Sequence, residues 1–347
     1  MFNDAGSAVG FKIVGGEFNL KNGAIMTNNA TITLETASAD DVVVNLDAAS
    51  ASLLKDFFEA EPWSTNATVN GLGVEVPKLF IVYMGDTEIG KYESLNEAYA
   101  ALVENGADTI KLLDDASIIA TTTLEGDLTI DGAGKKLTLS TNMFSKLTGN
   151  YNLTFKNVVL DITGAVSIIG PKATGNGGNI TFQNCTITAA TTTCLIYADA
   201  ATVTFDSCII TADRLLEHNT APANNNTVYV YGKTTMVSGD KFFRNSSSNG
   251  ANNIIFGSAN GFAPDGVTKN EISVTVNTGW LNSSEDASGY MTIYDGTTIT
   301  LNGSYSAPLT GLYATKVGGT LNLYGGTIYL NATEDRPNAY LIGFGEG

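Results

Sequence analysis

Residues 153–160 read Leu-Thr-Phe-Lys-Asn-Val-Val-Leu, residues 180–187 Ile-Thr-Phe-Gln-Asn-Cys-Thr-Ile, and residues 203–210 Val-Thr-Phe-Asp-Ser-Cys-Ile-Ile. The same phrase recurs more weakly at Leu128-Thr129-Ile130-Asp131-Gly132, Val228-Tyr229-Val230-Tyr231-Gly232 and Ile254-Ile255-Phe256-Gly257. Its central apolar residue therefore falls at 130, 155, 182, 205, 230 and 256, in steps of 25, 27, 23, 25 and 26. A short alternating strand closed by a Gly, Asn or Ser turn and repeated at this period predicts a solenoid. Side chains at equivalent places then stack along the axis. Phe155, Phe182 and Phe205 are expected to form an aromatic column, and Leu160, Ile187 and Ile210 an aliphatic one.

The period also assigns the cysteines. Of Cys185, Cys194 and Cys208, the first and third occupy one slot of consecutive repeats, and Val158 fills that slot one repeat earlier. They read as small buried apolar residues rather than as a metal or redox pair. An odd count argues against a disulfide framework.

Composition narrows the function classes. Hydrophobic residues make up 43% and charged ones 15% of the 347 positions, enough for a continuous core. With 35 acidic against 18 basic residues the net charge is −17, a field that repels nucleic acid and anionic lipid. Arginine occurs only at Arg214, Arg244 and Arg336, leaving few places for bidentate recognition of carboxylate or phosphate. No apolar run approaches the roughly 20 residues needed to cross a bilayer. No leader with a basic start and an apolar stretch is visible at Met1-Phe2-Asn3-Asp4.

Three segments are expected. Residues 1–47 read as terminal coils of a preceding module and residues 48–78 as a helical connector. Residues 79–347 read as a capping strand and helix followed by the main coil series. The connector carries Leu53, Leu54, Phe57 and Phe58 at helical spacing and is closed by Pro62. Ser94-Leu95-Asn96-Glu97 is a capping box that opens an amphipathic helix ended by Gly106. Residues 14–25 and 317–328 agree at seven of twelve positions, an offset of 303 that suggests a second, longer period. On that reading the chain is a piece of a longer tandem protein, and its uncapped final residues point the same way.

The helix, the strand at 109–113 and the stretch Leu124-Glu125-Gly126-Asp127-Leu128-Thr129-Ile130-Asp131-Gly132 resemble the opening of a right-handed parallel β-helix of the pectate-lyase-like class. The resemblance covers about 79–347, with a few further coils at 11–47. It implies an all-β solenoid with three strands per coil. It also implies an asparagine ladder at a tight turn, for which Asn157 and Asn184 are the candidates. Enzymes of this fold pair an Arg or Lys base with calcium-binding Asp, or carry Asn-Thr-Asp, Asp-Asp, Gly-His-Gly and Arg-Ile-Lys in successive coils. Here Asp-Asp occurs only at Asp40-Asp41 and Asp114-Asp115, outside the middle coils, so no catalytic residue is carried over.

The single histidine, His218, lies in Asp213-Arg214-Leu215-Leu216-Glu217-His218-Asn219. Glu217 and His218 are the weak candidates for a general acid–base pair, against a plain solvated loop. Glu285-Asp286 and Glu334-Asp335 read as surface charge, and no cofactor or metal is expected. Tyr229, Tyr231, Tyr294 and Tyr324 fall on or beside strands, where they either cover a sheet or stack on sugar rings.

The leading expectation is a non-enzymatic, extracellular or cell-surface rod that acts as stalk or adhesin, with glycans or host-surface components as partners. The alternative is a polysaccharide-binding or polysaccharide-cleaving β-helix, either a lyase or hydrolase or a phage tailspike, which would be trimeric.

Overall fold

The computed structural model describes residues 9–13, 16–20, 30–34, 42–46 and 68–70. From 77 onward it describes all but 148–149, 171–176, 190–193, 219–224, 240–241, 246–251, 278–279, 285–288, 304–310, 316–318, 333–341 and 345–347. The chain divides into two compact units, Met1–Lys78 and Leu79–Gly347.

The larger unit is a right-handed parallel β-helix of about eight turns with roughly 25 residues per coil. Its first sheet holds nine consecutive parallel strands, from Thr109–Leu112 to Thr320–Leu323. The second also holds nine, from Ala116–Ile118 to Thr327–Ala332. Six strands from Ile196–Tyr197 to Ile342–Phe344 make the third face. Bridges Phe144↔Ile169↔Ile196 join that face to the pair Thr122–Leu124 and Phe144–Leu147.

The expected register holds residue for residue. Ile130, Phe155, Phe182, Phe205, Val230 and Phe256 pair successively on the first sheet. The three phenyl rings stack at centroid distances of 5.0 and 5.2 Å, tilted by only 3° and 10°. Leu160, Ile187 and Ile210 pair likewise on the second sheet. Strand alternation explains the core: along most strands alternate apolar residues turn inward and are buried, whereas in the last coil Leu323 and Leu330 are exposed.

The short turn between the first and second sheets needs left-handed backbone once per coil. Asn157, Asn184, Ser207, Gly232 and Gly257 supply it in succession, with φ between 53° and 76°. Asparagine and glycine tolerate that region best. The side-chain ladder expected between Asn157 and Asn184 is not present among the described residues. The Asn157 amide donates instead to Asp131 Oδ1 at 3.3 Å. Asparagine rungs occur elsewhere: Asn179 Nδ2 donates to Asn152 at 2.8 Å, Asn302 to Asn277 at 2.9 Å and Asn331 to Asn302 at 3.0 Å. A buried rung joins Asn226 to Asn252 at 3.0 Å. Each amide satisfies the next as the backbone does, at one strand spacing.

The start of the unit is more elaborate than the sequence suggests. Phe80–Met84 pairs antiparallel with Thr109–Leu112 and also with Thr87–Tyr92, so the exposed edge of the parallel sheet ends in a hairpin. The helix Leu95–Asn105 has the expected capping box and a left-handed Gly106 at its end. It buries Leu95, Ala98, Tyr99 and Leu102 in the continuous core, and Tyr99 Oη accepts from Glu125 N at 2.7 Å.

In the smaller unit Val9–Ile13 pairs with Ala30–Leu34, and Gly16–Leu20, Val42–Leu46 and Thr68–Asn70 form a second parallel set. An asparagine ladder, Asn70 to Asn45 to Asn19, runs along it at 2.8 and 3.0 Å. The helix expected at 48–60 lies outside the described residues, as do most of 14–25 and both Glu285-Asp286 and Glu334-Asp335.

Candidate functional site

Two regions of the outer surface gather chemistry. The first is the outward face of the third sheet. Ile196, Leu216 and Phe243 turn inward there and are fully buried, which leaves Tyr197, Glu217 and Arg244 as consecutive rungs of the outward column. Glu217 is 6% exposed although it stands on an outer column. The Arg244 guanidinium lies 3.8 Å from its carboxylate, an ion pair beyond direct hydrogen-bond range. Burial, with Cys194 and Glu217 nearby, pushes the Tyr197 hydroxyl up to about 12. Beneath it the Cys194 thiol, fully buried, is also pushed up, and it donates to the Ile196 carbonyl at 3.2 Å. A carboxylate, a guanidinium and a phenol in neighbouring coils can hold a hydroxyl or carry a proton.

Of the candidate pair Glu217 and His218, the side chain of His218 lies outside the described residues. The two occupy successive positions of the strand Leu216–His218. His218 pairs with Asn245 in the ladder, and the charge partner of Glu217 is Arg244, one coil on. The offset from Glu217 to Arg244 is 27 residues, the coil period itself. Extending the period to this face would have found the pair.

The second region is the corner between the first and second sheets. Tyr231, Gly257, Tyr294 and Tyr324 follow one another at the end of the first-sheet strands. Tyr294 and Tyr324 stack at 5.2 Å with 15° between their planes, and Tyr229 and Tyr231 at 5.7 Å with 11°. Burial raises the Tyr231 hydroxyl to about 12, with further contributions from Tyr229 and Tyr294, whereas Tyr324 is 66% exposed. Burial, and then Tyr229, also raises Tyr290, a neighbour that strand patterning alone does not single out.

Cys185 and Cys208 are buried free thiols in one slot, as expected. Their Sγ atoms donate to the Phe155 and Phe182 carbonyls at 3.4 and 3.3 Å. The partner thiol and burial push Cys208 up. Among the described residues, no group of three or more His, Cys, Asp or Glu converges as a metal site, and no helix is long and apolar enough to cross a membrane. Comparison with protein-family models, with curated proteins and with solved structures gave no match to this chain.

Proposed function

We propose that the protein is a non-enzymatic β-helix of the cell surface or extracellular space, acting as a rigid stalk or adhesin. The observation that supports this reading is the uninterrupted ladder. Nine strands in each of two sheets, with in-register columns of apolar side chains and rungs of asparagine, couple every coil to the next. Stability then grows along the axis, and the coil series makes a stiff element about 38 Å long from eight steps of about 4.8 Å.

A second reading, polysaccharide cleavage, is favoured by one observation: Tyr197, Glu217 and Arg244 stand side by side on an outer face. One experiment separates the two. The chain is incubated with neutral and acidic polysaccharides, and new reducing ends and unsaturated products are measured for the wild type and Glu217→Gln. The stalk reading expects neither product. Turnover that falls about 100-fold in Glu217→Gln, the usual worth of a general acid or base, would replace it with the enzymatic reading.

A further inference from the structure

We infer that the corner between the first and second sheets is a binding site for neutral polysaccharide, built from the Tyr294–Tyr324 pair and the groove beside it. This rests on the reading that the chain binds surface components rather than cleaving them, and it supplies the ligand class and the residues.

The groove is an open depression of about 520 Å³ walled by Glu271, Ser273, Asp295, Thr297, Thr298 and Thr327. Ser273, Thr298 and Thr327 are successive rungs of the second sheet, so they set a row of hydroxyls at one strand spacing. Asp295 directly follows Tyr294 in the chain and Gly326 lies two residues beyond Tyr324, so the groove wall continues the strand ends that carry the aromatic pair. A Cβ on Gly325 would run into the Asp295 carboxylate, and Gly326 N donates to Asp295 Oδ1 at 3.2 Å. The turn thus holds that carboxylate in place.

A pyranose presents flat faces of C–H groups and a rim of hydroxyls. The stacked tyrosines offer the first an apolar aromatic surface, and carboxylates with a row of hydroxyls offer the second its acceptors and donors. Charge selects within the class. Glu271 and Asp295 both line the groove, and among the described residues the cation placed against them is Lys233, 3.5 Å from Glu271. A uronate or sulfated chain would bring its own negative charge to these carboxylates on a molecule already at −17. A neutral chain brings none.

The test uses the full chain in affinity gel electrophoresis with a soluble β-glucan, a xylan, a galactomannan and an α-glucan, and with polygalacturonate as the acidic probe. At least one neutral polymer should retard the wild type, and polygalacturonate should not. Tyr324→Ala and Asp295→Asn should each weaken that retardation about tenfold, while Val103→Ser, an exposed change on the helix, leaves it intact. Circular dichroism checks that the variants keep the fold, and Asp295→Asn retains the acceptor for Gly326. No retardation by any neutral polymer, retardation by polygalacturonate alone, or retardation unchanged in both folded variants would overturn the site. Release of new reducing ends would instead overturn the stalk reading, so the two failures are distinguishable.

Discussion

Replacing Phe182 by alanine strikes the middle of the aromatic column. The side chain is fully buried and lies face to face with Phe155 and Phe205 at 5.0 and 5.2 Å. Buried Phe→Ala changes cost about 3–5 kcal/mol through lost transfer energy and the cavity left behind. Each lost ring pair is worth about 0.5–1.5 kcal/mol beyond burial, which puts the expected cost near the upper end, about 5 kcal/mol. Parallel coils on both sides restrict collapse into the space, so little is recovered by relaxation. Because each coil touches only its neighbours, the loss should be local. Native-state hydrogen exchange should show lost protection in Asn152–Lys156, Gly178–Gln183 and Ala201–Asp206, with little change at Ile272–Val276. A loss under about 2 kcal/mol, or one spread evenly over all coils, would refute the stacked column.

Three further outcomes follow from the same architecture. Cys185, Cys194 and Cys208 should react with a thiol reagent only after denaturant is added, since all three are at most 1% exposed; fast native labelling would contradict their placement. Asn226→Ala should cost about 2–3 kcal/mol in chemical denaturation, because its amide bonds Ala198 O, Asn252 Oδ1 and Ala201 N inside the core and the partners would be orphaned. Burial raises the Asp206 carboxyl above its usual range. The stabilising effect of its protonated form is therefore complete below the unfolded value and is lost as pH rises through the folded one. Asp206→Asn should raise the melting temperature at pH 7 and lose that advantage near pH 3, and an equal gain at both would show that ionisation is not the cause.

What is legible in the sequence is whatever the period carries. The columns through Phe182 and Ile187, the shared slot of Cys185 and Cys208, and the left-handed turns at Asn157 and Asn184 all follow from one alignment of the chain on itself. The hairpin Phe80–Met84 and Thr87–Tyr92 has no repeat to announce it; its antiparallel pairing is a solution to an open sheet edge. Residue type alone makes Asn157 a rung, but Asp131 in the preceding coil is the stronger acceptor and captures its amide. The groove at Asp295 is hidden for another reason. It joins residues from three coils of unequal length, with steps of 37 and 30 residues from Phe256 to Ile293 to Leu323, where the regular spacing fails.

The most direct test of the tyrosine site is a crystal structure of the full chain soaked with an oligosaccharide of whichever neutral polymer retards it. An intact glycan should be seated against Tyr294, Tyr324 and the hydroxyl row at Thr298, on a β-helix that keeps Phe155, Phe182 and Phe205 in one column. A glycan lying instead across Tyr197, Glu217 and Arg244, or found there with its linkage broken, would contradict this placement.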